Sequence, residues 1–193
     1  MEHLLTVLMP TLPSRKRPFL NGIIDLMPSW CSLSIDSDSD ISIGLKRQRM
    51  LNRVTSKYVV NIDDDDDISS EYFSEIKKGI DLDVDAIGIS SVRFTNGEID
   101  YCQKWGIKNP ASFERTTILG HLCPVKTSIA KKVGYRDFGE GEDFDHMVRL
   151  QEHLHFAYYI QKVIYLNYHN NIKKEYHKHA KAPVKMHGVE PRL

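Results

Sequence analysis

No stretch of this chain approaches the roughly 18 consecutive apolar residues that a membrane-spanning helix needs. The apolar opening LLTVLMP is too short for the hydrophobic region of a secretory signal with its cleavage site. Net charge is also lacking: 26 Lys and Arg offset 26 Asp and Glu. Bulk charge therefore argues for no particular partner, and any steering must come from local patches. Cysteine is scarce. Cys31, Cys102 and Cys123 are widely spaced with no C-x-x-C pairing, which suits reduced thiols in the cytoplasm better than a disulfide framework or zinc knuckle. Gly and Pro show no excess, and there is no internal repeat. With 193 residues, 41% of them hydrophobic, the chain is long enough to close one core, and one domain is expected.

What is present is a rhythm of short elements. Leu4 to Met9 reads as a buried first strand stopped by Pro10 and Pro13, and Phe19 to Met27 carries apolar residues at helical spacing. WCSLSID reads as a second strand, and GLKRQRMLNRVTS as a basic helix with Leu45, Met50, Leu51 and Val54 on one face. Tyr58 to Ile62 is a third strand, followed by a helix over Ser69 to Ile80 with Ser69 or Ser70 as N-cap. Two strand–helix units feeding a third strand predict an open α/β sheet whose ligands collect at the carboxyl ends of the strands. Asn96-Gly97 between alternating apolar residues signals a hairpin, so the sheet is expected to become mixed. Thr127 to Val133 and Asp143 to His153 read as helices, FAYYIQKVIYLNYH as one or two late strands, and the remainder as an irregular tail.

The feature that demands a cause is YVVNIDDDDD, five carboxylates directly behind an apolar strand. Close like charges raise one another's pKa and oppose folding unless a cation neutralises them. A solvated acidic loop is the plain reading; a site for a hard metal ion is the functional one. An EF-hand fails, because counting from Asp63 puts Ile68 where Gly belongs and Ser74 where Glu belongs. A phosphatase-type D-x-D nucleophile remains, although it normally follows the first strand, which here ends in MPTLPSR. The third option is a Mg²⁺ or Mn²⁺ clamp on a nucleoside diphosphate.

In order along the chain, TVLMPTLPSR, the Asp closing SID, SIGLKRQRMLN, YVVNIDDDD and GEDFDHMVRL together resemble a family 2-type glycosyltransferase of the GT-A fold. The resemblance runs from Leu4 to about His169. It implies a Rossmann-related mixed central sheet flanked by helices, in a single catalytic domain over residues 1–172 followed by a basic tail over residues 173–193. The implied activity is metal-dependent transfer of a sugar from a nucleotide-sugar donor, UDP-linked first among the options, to an acceptor hydroxyl with inversion.

Carried over residue by residue, the resemblance puts Pro10, Thr11, Arg15 and Asp36 around the nucleoside, and Lys46 and Arg47 beside phosphate oxygens. Loop solvation and the wet face of a helix are the respective plain readings. Gln48 stands where the family more often has Asn. The D-x-D element falls on Asp63 and Asp65, with Asp64, Asp66 and Asp67 as neighbours that blur the register; Asp63 would lie near the ribose and Asp65 and Asp66 near the cation. Alternation in an extended segment would place Asp63, Asp65 and Asp67 on one side. Asp143 is the implied catalytic base with Glu142 beside it and Arg149 bracing them, against the plain reading of acidic residues favoured at a helix N-terminus. Gly139 and Gly141 would let the chain approach the sugar closely. His169 would complete a metal shell, His121 would touch donor or acceptor, and Trp105 would stack on a sugar or fill a core. The tail carries six Lys/Arg against Glu175 and Glu190, and reads as a solubilising segment or one approaching anionic partners. Small transferases of this kind resemble those of bacterial viruses, some of which modify DNA bases, so a glycan or a modified nucleic acid base are the acceptor options. The rival functions are a non-catalytic nucleotide-sugar-binding module and a metal-dependent phosphohydrolase or nucleotidyltransferase using the same aspartates.

Overall fold

The computed structural model describes residues 3–95, 98–106 and 119–169, without the side chains of Tyr101 and His169. The tail, and the Asn96-Gly97 turn, lie outside the described residues. Among the described residues eight strands form one mixed sheet: β1 (Leu5–Pro10), β2 (Cys31–Asp36), β3 (Tyr58–Asn61), β4 (Asp67–Ile68), β5 (Ala86–Thr95), β6 (Glu98–Trp105), β7 (Val125–Lys126) and β8 (Ala157–His169). The helices are α1 (Leu20–Leu26), α2 (Ile43–Arg53), α3 (Tyr72–Asp81), α4 (Thr127–Val133) and α5 (Glu142–Leu150).

The strands run in the order β2-β1-β3-β7-β5-β8-β4, with β6 paired to β5. β2, β1 and β3 are mutually parallel. β7 turns the sheet antiparallel against β3. β5 is parallel to β8 but antiparallel to β6, which it meets from Thr95↔Glu98 onward, so the strands flanking the expected hairpin do pair. All six residues of β1 are buried, as befits a strand covered on both faces. Leu5, Val7, Leu8 and Met9 join Tyr58, Val60, Ile62, Ile76, Ile87 and Ile164 in one core, and burying such a side chain contributes roughly 1.5–3 kcal/mol.

Two local expectations change. The buried stripe of α2 is Lys46, Arg47, Met50, Leu51 and Val54, whereas Leu45 is 40% exposed. Positions 46, 47, 50, 51 and 54 follow the 3.6-residue period, so the basic pair occupies the first turn of the core-facing stripe and Leu45 lies off it. At α3 the N-cap is Glu71, with no side-chain cap bond, instead of Ser69 or Ser70. The cause is the short strand β4, which the aspartate run conceals: Ile68 pairs with Tyr165 and the Ser69 amide donates to the Ile164 carbonyl, so the chain is still bound to the sheet there.

The start of α2 is set by Ser42, whose hydroxyl accepts from the Leu45 amide at 3.1 Å and donates to Asp137 at 2.6 Å. Gly44 lies against the segment before α5: an added Cβ would stand 2.0 Å from the Arg136 carbonyl oxygen. That close approach brings Arg47 to the beginning of α5.

Candidate active site

β1, β2 and β3 end along one edge of the sheet, and the Thr11 amide donates to the Asp36 carbonyl there at 2.9 Å. Ligand sites in open α/β sheets collect at such an edge. The aspartate run follows β3 and folds back on itself, because the Asp66 amide donates to the Asp63 carbonyl at 3.2 Å and closes a turn. It is therefore not the extended segment the alternation argument assumed. The alternation survives in burial alone: Asp64 and Asp66 are buried, while Asp63, Asp65 and Asp67 are half-buried.

Each buried aspartate has its own anchor. Asp64 accepts from the Thr11 hydroxyl at 2.5 Å and from Arg15 at 2.7 Å. Asp66 accepts from the Tyr165 hydroxyl and Asn167 amide, both at 2.9 Å, and from the Tyr168 backbone at 3.0 Å. Burial and the neighbouring Asp63 charge push Asp66 up to about 7, against the pull of these donors. As it stands, Asp66 fastens the turn to β8.

The exposed side of the turn meets a ring of charge. Asp63 lies 3.2 Å from Arg47 and 3.2 Å from His121 Nε2. His121 Nδ1 lies 3.1 Å from Asp143, and Arg47 Nε lies 3.0 Å from Glu142. Burial alone would raise Asp63, but His121 and then Arg47 hold it well below the usual carboxylate range. Burial works against a charged imidazole too, yet Asp63 and the hydrogen bond to Asp143 lift His121 to about 9. The His121 bond lowers Asp143, while burial raises Glu142 despite Arg47. Glu142 and Asp143 open α5 behind Gly141, whose φ of 75° is the left-handed conformation that glycine adopts freely.

The other expected residues are placed as follows. Pro10 closes β1 opposite Asp36. Lys46 is buried and donates to the Thr11 carbonyl at 2.6 Å, so neither Lys46 nor Arg47 belongs to a wet helix face. Asp36 faces Arg49, which grips both carboxylate oxygens at 2.8 and 2.6 Å and also takes Asp38 at 2.8 Å. Gln48 accepts from the Tyr135 amide at 2.6 Å. Arg149 does not brace Glu142 and Asp143. It binds Asp145, one turn back on α5, and the Val133 and Gly134 carbonyls at the end of α4, because a side chain at i+4 reaches its partner where one at i+6 or i+7 does not. Trp105 donates to Ser91 at 2.8 Å and packs under Gly120, which is a framework role. The His169 backbone ends β8 opposite Thr95; its side chain is outside the described residues.

Sequence reading missed Arg49, although a basic run facing SIDSD was a signal of charge complementarity. It also missed a polar nest beneath the site, for which no motif exists. His146 stacks on Tyr135 with ring centroids 3.9 Å apart, the Tyr135 hydroxyl accepts from Asn61 at 2.9 Å, and all three line a cavity of about 20 Å³ together with His121. Burial, then the charge of Arg149, lowers His146 to about 4.

Among the described residues no three His, Cys, Asp or Glu side chains converge as a ready-made cage for a metal ion. A Mg²⁺-type ion that takes its other ligands from water and substrate phosphates needs only one or two carboxylates. The half-buried Asp63 and Asp65 are a donor set of that kind.

No protein-family model matches the chain, and no curated protein matches it. Solved structures do. Staphylococcus aureus TarS, residues 1–349 in complex with UDP-GlcNAc, is similar at 15% identity and a TM-score of 0.63, covering 89% of this chain and 59% of that one. The same protein in complex with UDP matches at 14% identity and a TM-score of 0.61, over 88% and 61% of the two chains. A197 from STIV matches at 12% identity and a TM-score of 0.55, over 83% and 82%. The chain thus spans about three fifths of the TarS fragment. Its architecture is the GT-A fold that TarS displays.

Proposed function

We propose that the chain is a glycosyltransferase that moves a sugar from a nucleotide-sugar donor, UDP-linked first among the candidates, to an acceptor hydroxyl with inversion at the anomeric carbon. The observation that carries the reading is the joining of Asp63 and Asp143, 80 residues apart, on one His121 ring at the carboxyl edge of the parallel strands. That convergence supports reading Asp63 as the donor-side carboxylate and Asp143 as the acceptor-side one.

Asp143 takes the acceptor proton as the hydroxyl oxygen attacks the anomeric carbon; the bond from that carbon to the diphosphate oxygen breaks, and the nucleoside diphosphate departs with the bonding pair. The His121 hydrogen bond lowers Asp143, which keeps it ionised, the form a proton acceptor needs. Asp63 and Asp65 would hold Mg²⁺ or Mn²⁺, which supplies positive charge to the departing diphosphate. Lys46 and Arg47 are fixed cations on the same edge, and Thr11, Arg15 and Asp36 bound the space for the nucleoside. The acceptor is a glycan or a nucleic acid base bearing a hydroxyl. Among the described residues no helix is long and apolar enough to cross a membrane. The described cysteines are free thiols, and the cytoplasm is the proposed compartment.

The test is calorimetric and thermal-shift titration with UDP, GDP, CDP and their sugars, with and without Mn²⁺. The expected result is metal-dependent stabilisation by one nucleotide family, lost in Asp65→Ala; Asp143→Asn should retain binding and lose transfer. Binding with no transfer by the wild type to any hydroxyl acceptor would favour a binding module. Nucleotide turnover that survives Asp143→Asn would favour a phosphohydrolase or nucleotidyltransferase, and no nucleotide binding under any condition would end the reading.

A further inference from the structure

His121 stands between two carboxylates to which the proposed reaction gives different tasks. Its Nε2 faces Asp63 on the donor side at 3.2 Å, and its Nδ1 faces Asp143 on the acceptor side at 3.1 Å. We propose, on the basis of the transferase reading, that His121 is a positioning residue that orients the Asp143 carboxylate for the acceptor and couples it to the donor-binding aspartate turn.

The backbone leaves the ring little freedom. The Cys123 amide donates to the Gly120 carbonyl at 2.9 Å, which puts His121 inside a turn, and the His121 carbonyl accepts from the Asn61 amide at 3.2 Å. Gly120 before it is packed so tightly that an added Cβ would stand 2.8 Å from the Trp105 ring. The side chain itself is only 15% exposed. His121 is therefore tied to β3 through its own carbonyl, and Gly120 before it packs on Trp105.

Asp143 has two supports of different origin. Its Oδ1 accepts from the Phe144 amide at 2.7 Å, which ties it to α5, and its Oδ2 faces His121. The helix amide alone would leave the carboxylate free to pivot about that oxygen; the imidazole sets its plane. Misplacement by about 1 Å is enough to lower a rate 100-fold. Arg47 closes the figure, touching Asp63 with one nitrogen and Glu142, next to Asp143, with another. The end of β3 and the start of α5 are thus linked twice, through α2 and through the turn at His121. Donor bound at Asp63 acts on the Nε2 contact, while the Nδ1 contact remains to hold Asp143.

The two contacts can be separated by substitution. The side-chain amide nitrogen of Asn replaces Nδ1, and that of Gln replaces Nε2. Nucleoside diphosphate release from the nucleotide sugar, with water as acceptor, reads both kcat and donor KM. His121→Ala should lower kcat about 10–100-fold, the usual effect of removing a partner that orients a site group, and raise KM. His121→Asn should recover kcat within a few-fold while KM stays high; His121→Gln should recover KM while kcat stays low. Ala retaining wild-type kcat, or Asn and Gln recovering the same parameter, overturns the proposal.

Because His121→Ala can disturb the fold, the folded wild type gives a second reading by nitrogen-detected NMR of the ring. Asp143→Asn should shift the Nδ1 resonance and Asp63→Asn the Nε2 resonance; a ring that responds to neither overturns the bridge. Failure of the wild type to turn over any nucleotide sugar would remove the transferase reading and this role with it. Turnover without the Asn and Gln separation removes the role alone.

Discussion

Arg47 and Glu142 form an ion pair at 3.0 Å with side chains only 5% and 7% exposed, joining the second turn of α2 to the first residue of α5. Breaking a buried pair by removing one partner costs about 3–5 kcal/mol, since the other charge is left in a poorly solvating interior. Arg47→Met removes the ion-pair partner of Glu142 and leaves Asp63 to His121, so it should lower unfolding free energy by about that amount. Glu142→Gln removes a single charge and leaves Arg47 its contact with Asp63, and should cost less. Urea denaturation of the two variants beside wild type checks the ranking.

Two glycines in helices should respond with opposite sign. Gly22 on α1 has open space where a Cβ would stand, so Gly22→Ala should stabilise by about 0.5–1 kcal/mol through helix propensity. Gly44→Ala, which drives a methyl against the Arg136 and Phe138 backbone, should destabilise by about 1–3 kcal/mol. Thermal melts of both variants decide it, and equal shifts would contradict the packing at the start of α2.

His146 ionises in the unfolded chain near its ordinary 6.5 but only at about 4 in the fold. Its contribution to stability is therefore complete above 6.5 and is lost progressively as pH falls from 6.5 to 4, where the unfolded state binds the extra proton. His146→Phe preserves a ring against Tyr135 and removes this proton. The stability difference between wild type and His146→Phe, followed from pH 8 to 4, should move in favour of the variant below 6.5; a constant difference would contradict the burial of His146.

Arg149 makes one ion pair and two backbone hydrogen bonds that hold α5 to the end of α4. Arg149→Lys keeps the charge but supplies a point donor in place of a planar fork. It should still lower stability by about 1–2 kcal/mol, in the range of lost hydrogen bonds to a charged group. Chemical denaturation measures this directly.

How far the chain could be read in advance depended on whether local pattern and packing agreed. β1 is apolar throughout and buried throughout, and the strand and helix order of the first 80 residues follows its periodicity, so the α/β sheet was legible. The acidic run was legible as the polar segment that ends β3, because five carboxylates do not continue an apolar strand. What the charges touch was not. Arg149 has the right type and the right helix but a partner one turn nearer, and spacing alone does not choose between them. β4 was hidden because its pairing comes from β8, almost 100 residues away. Lys46 and Arg47 look solvated in sequence, yet their place on the stripe of Met50 and Leu51 carries them inward.

The anchoring of Asp66 by Tyr165, Asn167 and Tyr168 bears on the order in which the molecule is made. Synthesis proceeds from the N-terminus, so β1, β2 and β3 leave the ribosome long before β8 does. The aspartate loop therefore spends most of translation without its clasp, and β5 waits for a neighbour on one edge. Contacts of such long sequence separation form slowly. Among the described strands the last to be synthesised is the one that clasps Asp66, so a nascent chain that stops short of Tyr165 holds Asp64 on Thr11 and Arg15 while Asp66 lacks its β8 partners.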